Sequence, residues 1–466
     1  MDNGLWRLTA SELANAIATG EVGAVEVVRA HLERIATTNP RVNAITNVLE
    51  ESAIEAAHEV DRKRLAGHEL GPLAGVPFTV KENIDVAGSP TTHGVPALRH
   101  AMPSADAPVV ERLRRAGAIP IGRTNLPDFS IRFHTSSQLY GDTINPWDAR
   151  FSPGGSSGGE GVALATGMSA LGIGNDAGGS VRIPALLAGV AALKPSYGRF
   201  PGDRTVGPRD LTLCSQWIPV DGVFSRSVAD LRRVFPILSG PDARDPRTVP
   251  APLTGPPSNF RVAVAPDPGG QGVHPSARSA VEAAAAFLQE AGYSIEIVDV
   301  PRLQESLDAY GKLVLTEFGL VWPNLRKLLS PDGRRYIEFG MAHQPPTDLS
   351  EYVRLTAVRQ GIQRDWAQFL ERYSLLLGPI FTEPPVEPGF DARGPEEHAL
   401  VARAMRLCTA SSFVGVPAVA VPTSLVNGLP QGVQIIAGSY REDLCLDAAA
   451  VIESRCGPLT PIDPRN

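Results

Sequence analysis

The alternation of apolar and polar residues changes its period several times along the chain. Thr9 and Glu12 have the spacing of a capping box and predict a short helix that ends near Gly20. Apolar residues at helical spacing over 25–35 predict a second helix, and a third is predicted over 52–66. We interpret these three helices as a packing layer without a direct function.

Predicted strands alternate with predicted helices through the rest of the chain. Leu73 to Val80 is an apolar run that predicts a buried strand, and Lys81 follows at its carboxyl end. Further strands are predicted over 118–122, 261–265, 294–300, 414–421 and 432–437, and further helices over 109–116 and 276–291. The Pro- and Asp-rich stretch 241–258 predicts a long surface connection. This alternation predicts an α/β fold.

Glycine is dense between residues 152 and 196, yet it is interleaved with apolar runs, which indicates a packed core with tight turns. Two serines stand in glycine-rich turns there, Ser156 and Ser180. Consecutive backbone N–H groups before such a serine can stabilise an oxyanion. A serine nucleophile also needs a base, and a lysine serves if desolvation keeps it neutral.

Charge and cysteine content restrict the partners that we expect. The net charge is −7, and no Lys/Arg cluster has the density of a nucleic-acid-binding face, so no nucleic acid is expected. No apolar stretch is long enough for a membrane span, and no leader pattern is visible near the start. The four cysteines lack metal-type spacing, so we expect free thiols, no metal, and a cytoplasmic location. The four are Cys214, Cys408, Cys445 and Cys456.

Aromatic residues are concentrated between residues 301 and 400. Eleven fall there, where even spacing of the 28 in the chain gives about six. Such an excess is typical of ordinary helix packing or of an aromatic-lined pocket or lid, and both interpretations stay open. The eleven are Tyr310, Phe318, Trp322, Tyr336, Phe339, Tyr352, Trp366, Phe369, Tyr373, Phe381 and Phe390.

Several segments together resemble the amidase-signature family over most of the chain. They are LAGVPFTVKENIDVAG (73–88), NPWDARFSPGGSSGGEG (145–161), GNDAGGSVRIPALLAGVAALKPSYGR (174–199), FSRSVADL (224–231) and, more loosely, 413–438. The resemblance implies one domain over 1–466, an α/β/α sandwich around a large mixed β-sheet. Its signature core is about 73–231, with a variable, aromatic-rich substrate-pocket region at about 301–400. No cofactor is implied.

The resemblance also assigns roles to residues of this sequence. Lys81 is the base, Ser156 relays protons and follows a cis peptide bond, and Ser180 is the nucleophile. The implied oxyanion hole is formed by the N–H groups of Ala177, Gly178, Gly179 and Ser180. Candidates for substrate binding are Gly154, Gly155 and Asp176. Asp176 is interpreted as mainly structural, and Arg182 as its partner beneath the site.

The implied activity is hydrolysis of a carbon–nitrogen bond in a small linear amide, with carbamate, urea-type and ester substrates left open and a homodimer possible. Three departures from the family pattern bear on substrate preference: Asn175, Ala177, and Gly222-Val223 in place of a frequent Gly-Pro. One alternative is an amidotransferase-type protein that needs a partner chain. Ile183 argues against it, because the transamidase branch usually has glutamine there. Another alternative is an esterase with Ser157 as nucleophile, since Gly155 to Gly159 also fits G-x-S-x-G.

Overall fold

A computed structural model describes residues 4–208 and 210–465, and its main feature is an eleven-stranded mixed sheet. Two further strands of two residues each, β4 and β5, form a separate hairpin. The strands are β1 Ile45–Val48, β2 Pro77–Lys81, β3 Ile119–Thr124, β4 Ser136–Ser137, β5 Gly141–Asp142, β6 Leu171–Asp176, β7 Ala191–Lys194, β8 Val220–Ser225, β9 Arg261–Val264, β10 Ser294–Ile297, β11 Leu375–Pro379, β12 Ala418–Val426 and β13 Leu429–Ala437. The order in the sheet is β1-β3-β2-β6-β8-β7-β12-β13-β11-β9-β10.

Fifteen α-helices within the described residues surround this sheet. They are α1 Ala10–Thr19, α2 Ala24–Val42, α3 Glu50–Leu65, α4 Pro108–Arg115, α5 Gly158–Ala165, α6 Arg182–Ala188, α7 Leu213–Trp217, α8 Val228–Leu238, α9 Pro275–Glu290, α10 Leu303–Leu325, α11 Pro331–His343, α12 Leu349–Arg372, α13 Pro395–Ala404, α14 Arg406–Val414 and α15 Glu442–Cys456. The predicted α/β fold is confirmed. No helix among these described residues is both long and apolar enough to cross a membrane.

Helices cover both faces of the sheet, as the burial of successive strand residues shows. Val262 and Val264 of β9 pack into the cluster that contains α2, α8 and α9. Ala263, between them, packs into a second cluster with α10, α12 and α14. Since successive strand side chains point to opposite faces, each cluster fills one side of the sheet. The result is the layered α/β/α arrangement that the resemblance to the amidase-signature family implied.

The first three helices and the buried glycine-rich core agree with the predictions. Thr9 accepts a hydrogen bond from the N–H of Glu12, whose carboxylate accepts one from the Thr9 N–H, completing the capping box. The helix ends at Gly20, in the left-handed conformation. Every residue of α5 and α6 is buried, so the dense glycines belong to a packed core.

Two strand predictions had wrong boundaries. The apolar run at 73–80 becomes a strand only from Pro77, because Gly75 turns the chain at φ +74° and packs tightly against α1 and α2. The predicted strand 414–421 merges two elements. Val414 ends helix α14, Gly415 turns at φ +92°, and β12 begins at Ala418. An apolar run alone does not distinguish a helix end from a strand start.

Candidate active site

Lys81 ends β2, a strand whose five residues are all buried. This strand lies between β3 and β6 in the interior of the sheet, and the Lys81 side chain is fully buried. Two contacts satisfy the amine: Nζ lies 2.7 Å from Ser156 Oγ and 2.7 Å from Asn175 Oδ1. The structure therefore brings together two of the three residues expected to act in catalysis, and adds Asn175.

The pKa of Lys81 follows from the burial of its side chain. Burial lowers it from 10.5 to about 7, while the carboxylates of Asp176, Asp221 and Glu160 counteract part of the decrease. Burial penalises the charged ammonium more than these carboxylates stabilise it. Near neutral pH a large share of the amine is thus unprotonated and can accept a proton from the hydroxyl of Ser156.

The loop that carries Ser156 is held against the rest of the core by close backbone packing. The Gly155–Ser156 peptide bond is cis, as predicted. A Cβ at Gly155 would collide with the carbonyl oxygen of Phe133, so this position requires glycine. Gly154 accepts a hydrogen bond of 2.7 Å from Thr135 Oγ1 through its carbonyl group. Close packing and internal bonding thus account for both glycines that were candidates for substrate binding.

Asp176, at the end of β6, fixes the turn that leads to Ser180. Its carboxylate accepts hydrogen bonds from the N–H of Gly179 at 2.8 Å and of Val181 at 3.1 Å. Arg182 donates to both carboxylate oxygens, at 3.1 and 3.0 Å. Although burial favours the neutral acid, the Arg182 guanidinium and these donors hold the pKa of Asp176 well below its usual range. These contacts agree with the structural interpretation of Asp176 and Arg182.

Arg182 extends this network to the C-terminal third of the chain. Its guanidinium donates to Ser411 Oγ, Ser412 Oγ and Gln434 Oε1, at 2.7, 2.7 and 2.8 Å. Ser412 Oγ also donates to Asp176 Oδ1 at 2.9 Å. Helix α14 and strand β13 therefore support the turn from beneath, and the charged pair is fully hydrogen-bonded, as a buried ion pair requires.

The backbone N–H groups before Ser180 differ in what they bind. The N–H of Gly179 is occupied by Asp176. The N–H groups of Ala177, Gly178 and Ser180 donate to no other group within residues 4–208 and 210–465. Ser180 is half-buried, and no hydrogen bond in that described part joins its hydroxyl to Ser156 or Lys81. The turn thus holds three unoccupied N–H donors beside a serine that is open to solvent.

The G-x-S-x-G alternative lacks the geometry that it needs. Ser157 is fully buried, and its hydroxyl faces the carbonyl oxygen of Asn175 at 3.4 Å. Of the three histidines that follow the motif in sequence, His274 contacts Ser276 and His343 is exposed. His398 packs edge-on against Tyr336, with ring centroids 4.5 Å apart. None of the three contacts Ser157 within the described residues.

Apolar side chains surround one side of the nucleophile turn. A Cβ built on Gly178 would lie 3.2 Å from the Tyr310 hydroxyl and 3.5 Å from Met405 Cε. Ala177, Trp217 and Tyr310 are partly buried against the apolar cluster formed with α10, α12 and α14. Trp217 and Met405 were not identified from the sequence, because each lies far from the motifs. Among the eleven aromatics of 301–400, Trp366, Tyr373 and Phe381 are fully packed core residues instead.

Comparison with known proteins agrees with this fold and with the motifs. The model of the family described as "Amidase" matches residues 26–446. An indoleacetamide hydrolase of Bradyrhizobium diazoefficiens is 40% identical over 459 residues, covering 98% of this chain and 88% of that protein. One chain of a glutamyl-tRNA(Gln) amidotransferase of Salinispora tropica is 34% identical, covering 98% and 99%.

One solved structure matches this chain with a TM-score of 0.86. It is described as part of a vestigial protein complex that reveals the evolutionary origins of an s-triazine catabolic enzyme. It is 30% identical, and the match covers 97% of this chain and 100% of that one.

The chain belongs to the amidase family. It is a hydrolase that acts on carbon–nitrogen bonds of small linear amides.

Proposed function

We propose that the enzyme hydrolyses primary amides of small arylacetic acids, of which indoleacetamide is the reference substrate, through an acyl-enzyme on Ser180. The observation that carries the mechanism is the 2.7 Å contact between the buried amine of Lys81 and Ser156 Oγ. The substrate class is supported by the indoleacetamide hydrolase relative. The apolar and aromatic side chains beside Gly178 suit a flat aryl group.

In the proposed mechanism, neutral Lys81 accepts the proton of Ser156 while Ser156 accepts the proton of Ser180. Ser180 Oγ attacks the amide carbonyl, and N–H groups of the turn stabilise the oxyanion. Ala177, Gly178 and Ser180 are the proposed donors, since the Gly179 N–H would first have to leave Asp176. The proton returns through Ser156 to the leaving ammonia, and water then cleaves the acyl-enzyme by the same relay.

The amidotransferase alternative is less well supported. The position that usually carries glutamine in that branch is Ile183, whose side chain packs between Gly154 and Gly179 in the apolar core.

The four cysteines are unpaired. This agrees with the reducing, cytoplasmic location that we propose for the enzyme.

The test is hydrolysis by the purified protein alone, with indole-3-acetamide, phenylacetamide and acetamide at equal concentrations. We expect ammonia release with the two aryl amides at a kcat/KM at least about tenfold above acetamide, since burying an aryl group contributes a few kcal/mol. Ser180→Ala should release no ammonia, and added hydroxylamine should trap the wild-type acyl group as a hydroxamate. Activity only in the presence of a partner protein, or a preference for acetamide, would contradict the proposal.

A further inference from the structure

Asp221 on β8 is a carboxylate near the site that none of the sequence motifs includes. It is paired with Asn175 across the antiparallel β6–β8 ladder. Directly paired residues of antiparallel strands extend their side chains to the same face of the sheet. Asn175 accepts a hydrogen bond from Lys81 Nζ. Asp221 therefore lies one strand beyond Asn175, on the face where the Lys81 amine is held.

Three carboxylates act on the charge of Lys81, and two of them are already bonded to other groups. Asp176 exerts the strongest effect, but its ion pair with Arg182 keeps it ionised throughout the working range. Glu160 is bonded to two threonine hydroxyls, and burial raises its pKa to about 8, so it is mostly uncharged at pH 7. Asp176 therefore supplies a fixed negative charge near Lys81, whereas Glu160 supplies little charge at pH 7.

Asp221 differs from both in its contacts. No group within residues 4–208 and 210–465 donates a hydrogen bond to its carboxylate. Burial raises the pKa of Asp221 to about 6, against the opposing effects of Arg204 and Arg247. Arg247 is engaged by both carboxylate oxygens of Asp245, at 2.7 and 2.9 Å. Asp221 is thus ionised above about pH 6 and is not tied to another group by hydrogen bonds.

The remaining charged groups near Lys81 and Asp221 are few. Arg204 is half-buried and donates no hydrogen bond to another described residue. Burial, with Arg204 as the main charge, lowers the pKa of His93 to about 4, so this histidine is neutral in the working range. Arg123 donates to the backbone carbonyl group of Lys81 and to neighbouring carbonyl groups, so it is occupied. Arg204 is thus the main cation that favours the ionised form of Asp221.

We propose that Asp221 is a positioning residue whose carboxylate stabilises the ammonium that forms on Lys81 during acylation. The inference rests on the proposed function, in which Lys81 is the base. When the Ser180 proton is relayed through Ser156, Lys81 changes from neutral to a charge of +1. Asp221 forms and breaks no bond in this step; it adds to the charge of Asp176 a second negative charge near the new cation. A buried cation with less negative charge near it would raise the barrier.

The test compares the pH dependence of kcat/KM for wild type, Asp221→Asn and Asp221→Glu on one aryl amide. Asp221→Asn should lower the plateau kcat about tenfold and leave KM within about twofold. It should also shift the acid limb, the part of the profile where the rate rises with pH, down by roughly one pH unit, because a nearby opposite charge raises a lysine pKa by that order. Asp221→Glu keeps the charge and should retain the wild-type limb. An unmoved limb in a folded Asp221→Asn protein would refute the proposal.

A second variant keeps the proposal testable if Asp221→Asn does not fold. Arg204→Met removes a cation that favours the ionised form of Asp221, so it should raise the pKa of Asp221 and leave less negative charge near Lys81 around pH 7. The acid limb should therefore move downward; no movement, or an upward one, would refute the proposal. Lys81→Ala separates the two levels of inference. If it abolishes the limb while Asp221→Asn leaves it unmoved, only the role of Asp221 fails. If the limb survives in Lys81→Ala, the proposed base itself is wrong.

Discussion

The fraction of Lys81 that is neutral sets how much base the enzyme has, and it can be calculated from the structure. At pH 7.4 a lysine with an ordinary pKa is neutral in about one molecule per thousand. With its pKa lowered to about 7, Lys81 is neutral in roughly seven molecules of ten at that pH. The gain is about 700-fold in available base, or about 4 kcal/mol. Burial of the amine is the cause.

The sign of the pH dependence follows from this. Lys81 must be neutral to accept a proton, so kcat/KM for an amide should rise about tenfold per pH unit below pH 7 and level off above it. Lys81→Ala should lose about a thousandfold on an amide, within the usual range for removing a general base. The loss should be smaller on an activated ester, whose leaving group needs no proton. Lys81→Arg should not rescue, because a guanidinium stays charged.

The assay is a pH–rate profile of kcat/KM, from pH 5 to 10, for wild type and the two Lys81 variants on a matched amide and ester of one acyl group. Circular dichroism at each pH confirms that the proteins remain folded. An acid limb that persists unchanged in Lys81→Ala would refute the reasoning. Equal losses on amide and ester would also refute it, because the proton delivered to the leaving amine would then have no part in the rate.

Three further predictions concern the rest of the site. A serine-directed fluorophosphonate should label Ser157→Ala as it labels wild type, and should fail to label Ser180→Ala; the reverse pattern would favour the esterase alternative. Gly155→Ala should lower the stability by about 1–3 kcal/mol in urea unfolding, because its Cβ would collide with the carbonyl oxygen of Phe133, whereas Gly438→Ala, with its nearest neighbour at 3.9 Å, should change little. Activity should survive exhaustive chelation and dialysis; loss with rescue by one divalent metal would contradict the metal-free relay.

The contact between Lys81 and Ser156 could be anticipated because the resemblance to the amidase-signature family assigns both residues to one site. Glycines at 154 and 155 permit turns and close contacts that other residues would prevent. The same holds for the turn before Ser180. The glycines are readable from one sequence, whereas the roles of Lys81 and Ser156 and the cis bond were implied by the resemblance to the family.

The partners of Lys81 other than Ser156 depend on strand pairing, which local sequence does not specify. Asn175 was noted only as a departure from the family pattern, and Asp221 lies 46 residues further along the chain. Their adjacency results from the register of β6 against β8, and a register shift of one residue would place either side chain on the other face. The roles of the aromatic residues could not be predicted from composition for the same reason. Composition did not separate Tyr310, beside the turn, from Trp366 in the core.

The network beneath the nucleophile turn has a consequence for how the protein is made. Arg182 and Asp176 complete their hydrogen bonds only with groups on α14 and β13, which lie more than 220 residues later in the chain. The ribosome therefore synthesises the entire glycine-rich core before it synthesises the groups on α14 and β13 that bind to Arg182 and Asp176. The complete hydrogen-bond network of the turn can therefore form only after Gln434 has been synthesised. We expect the nucleophile turn to reach its final geometry late in synthesis, after helix α14 and strand β13 have been added.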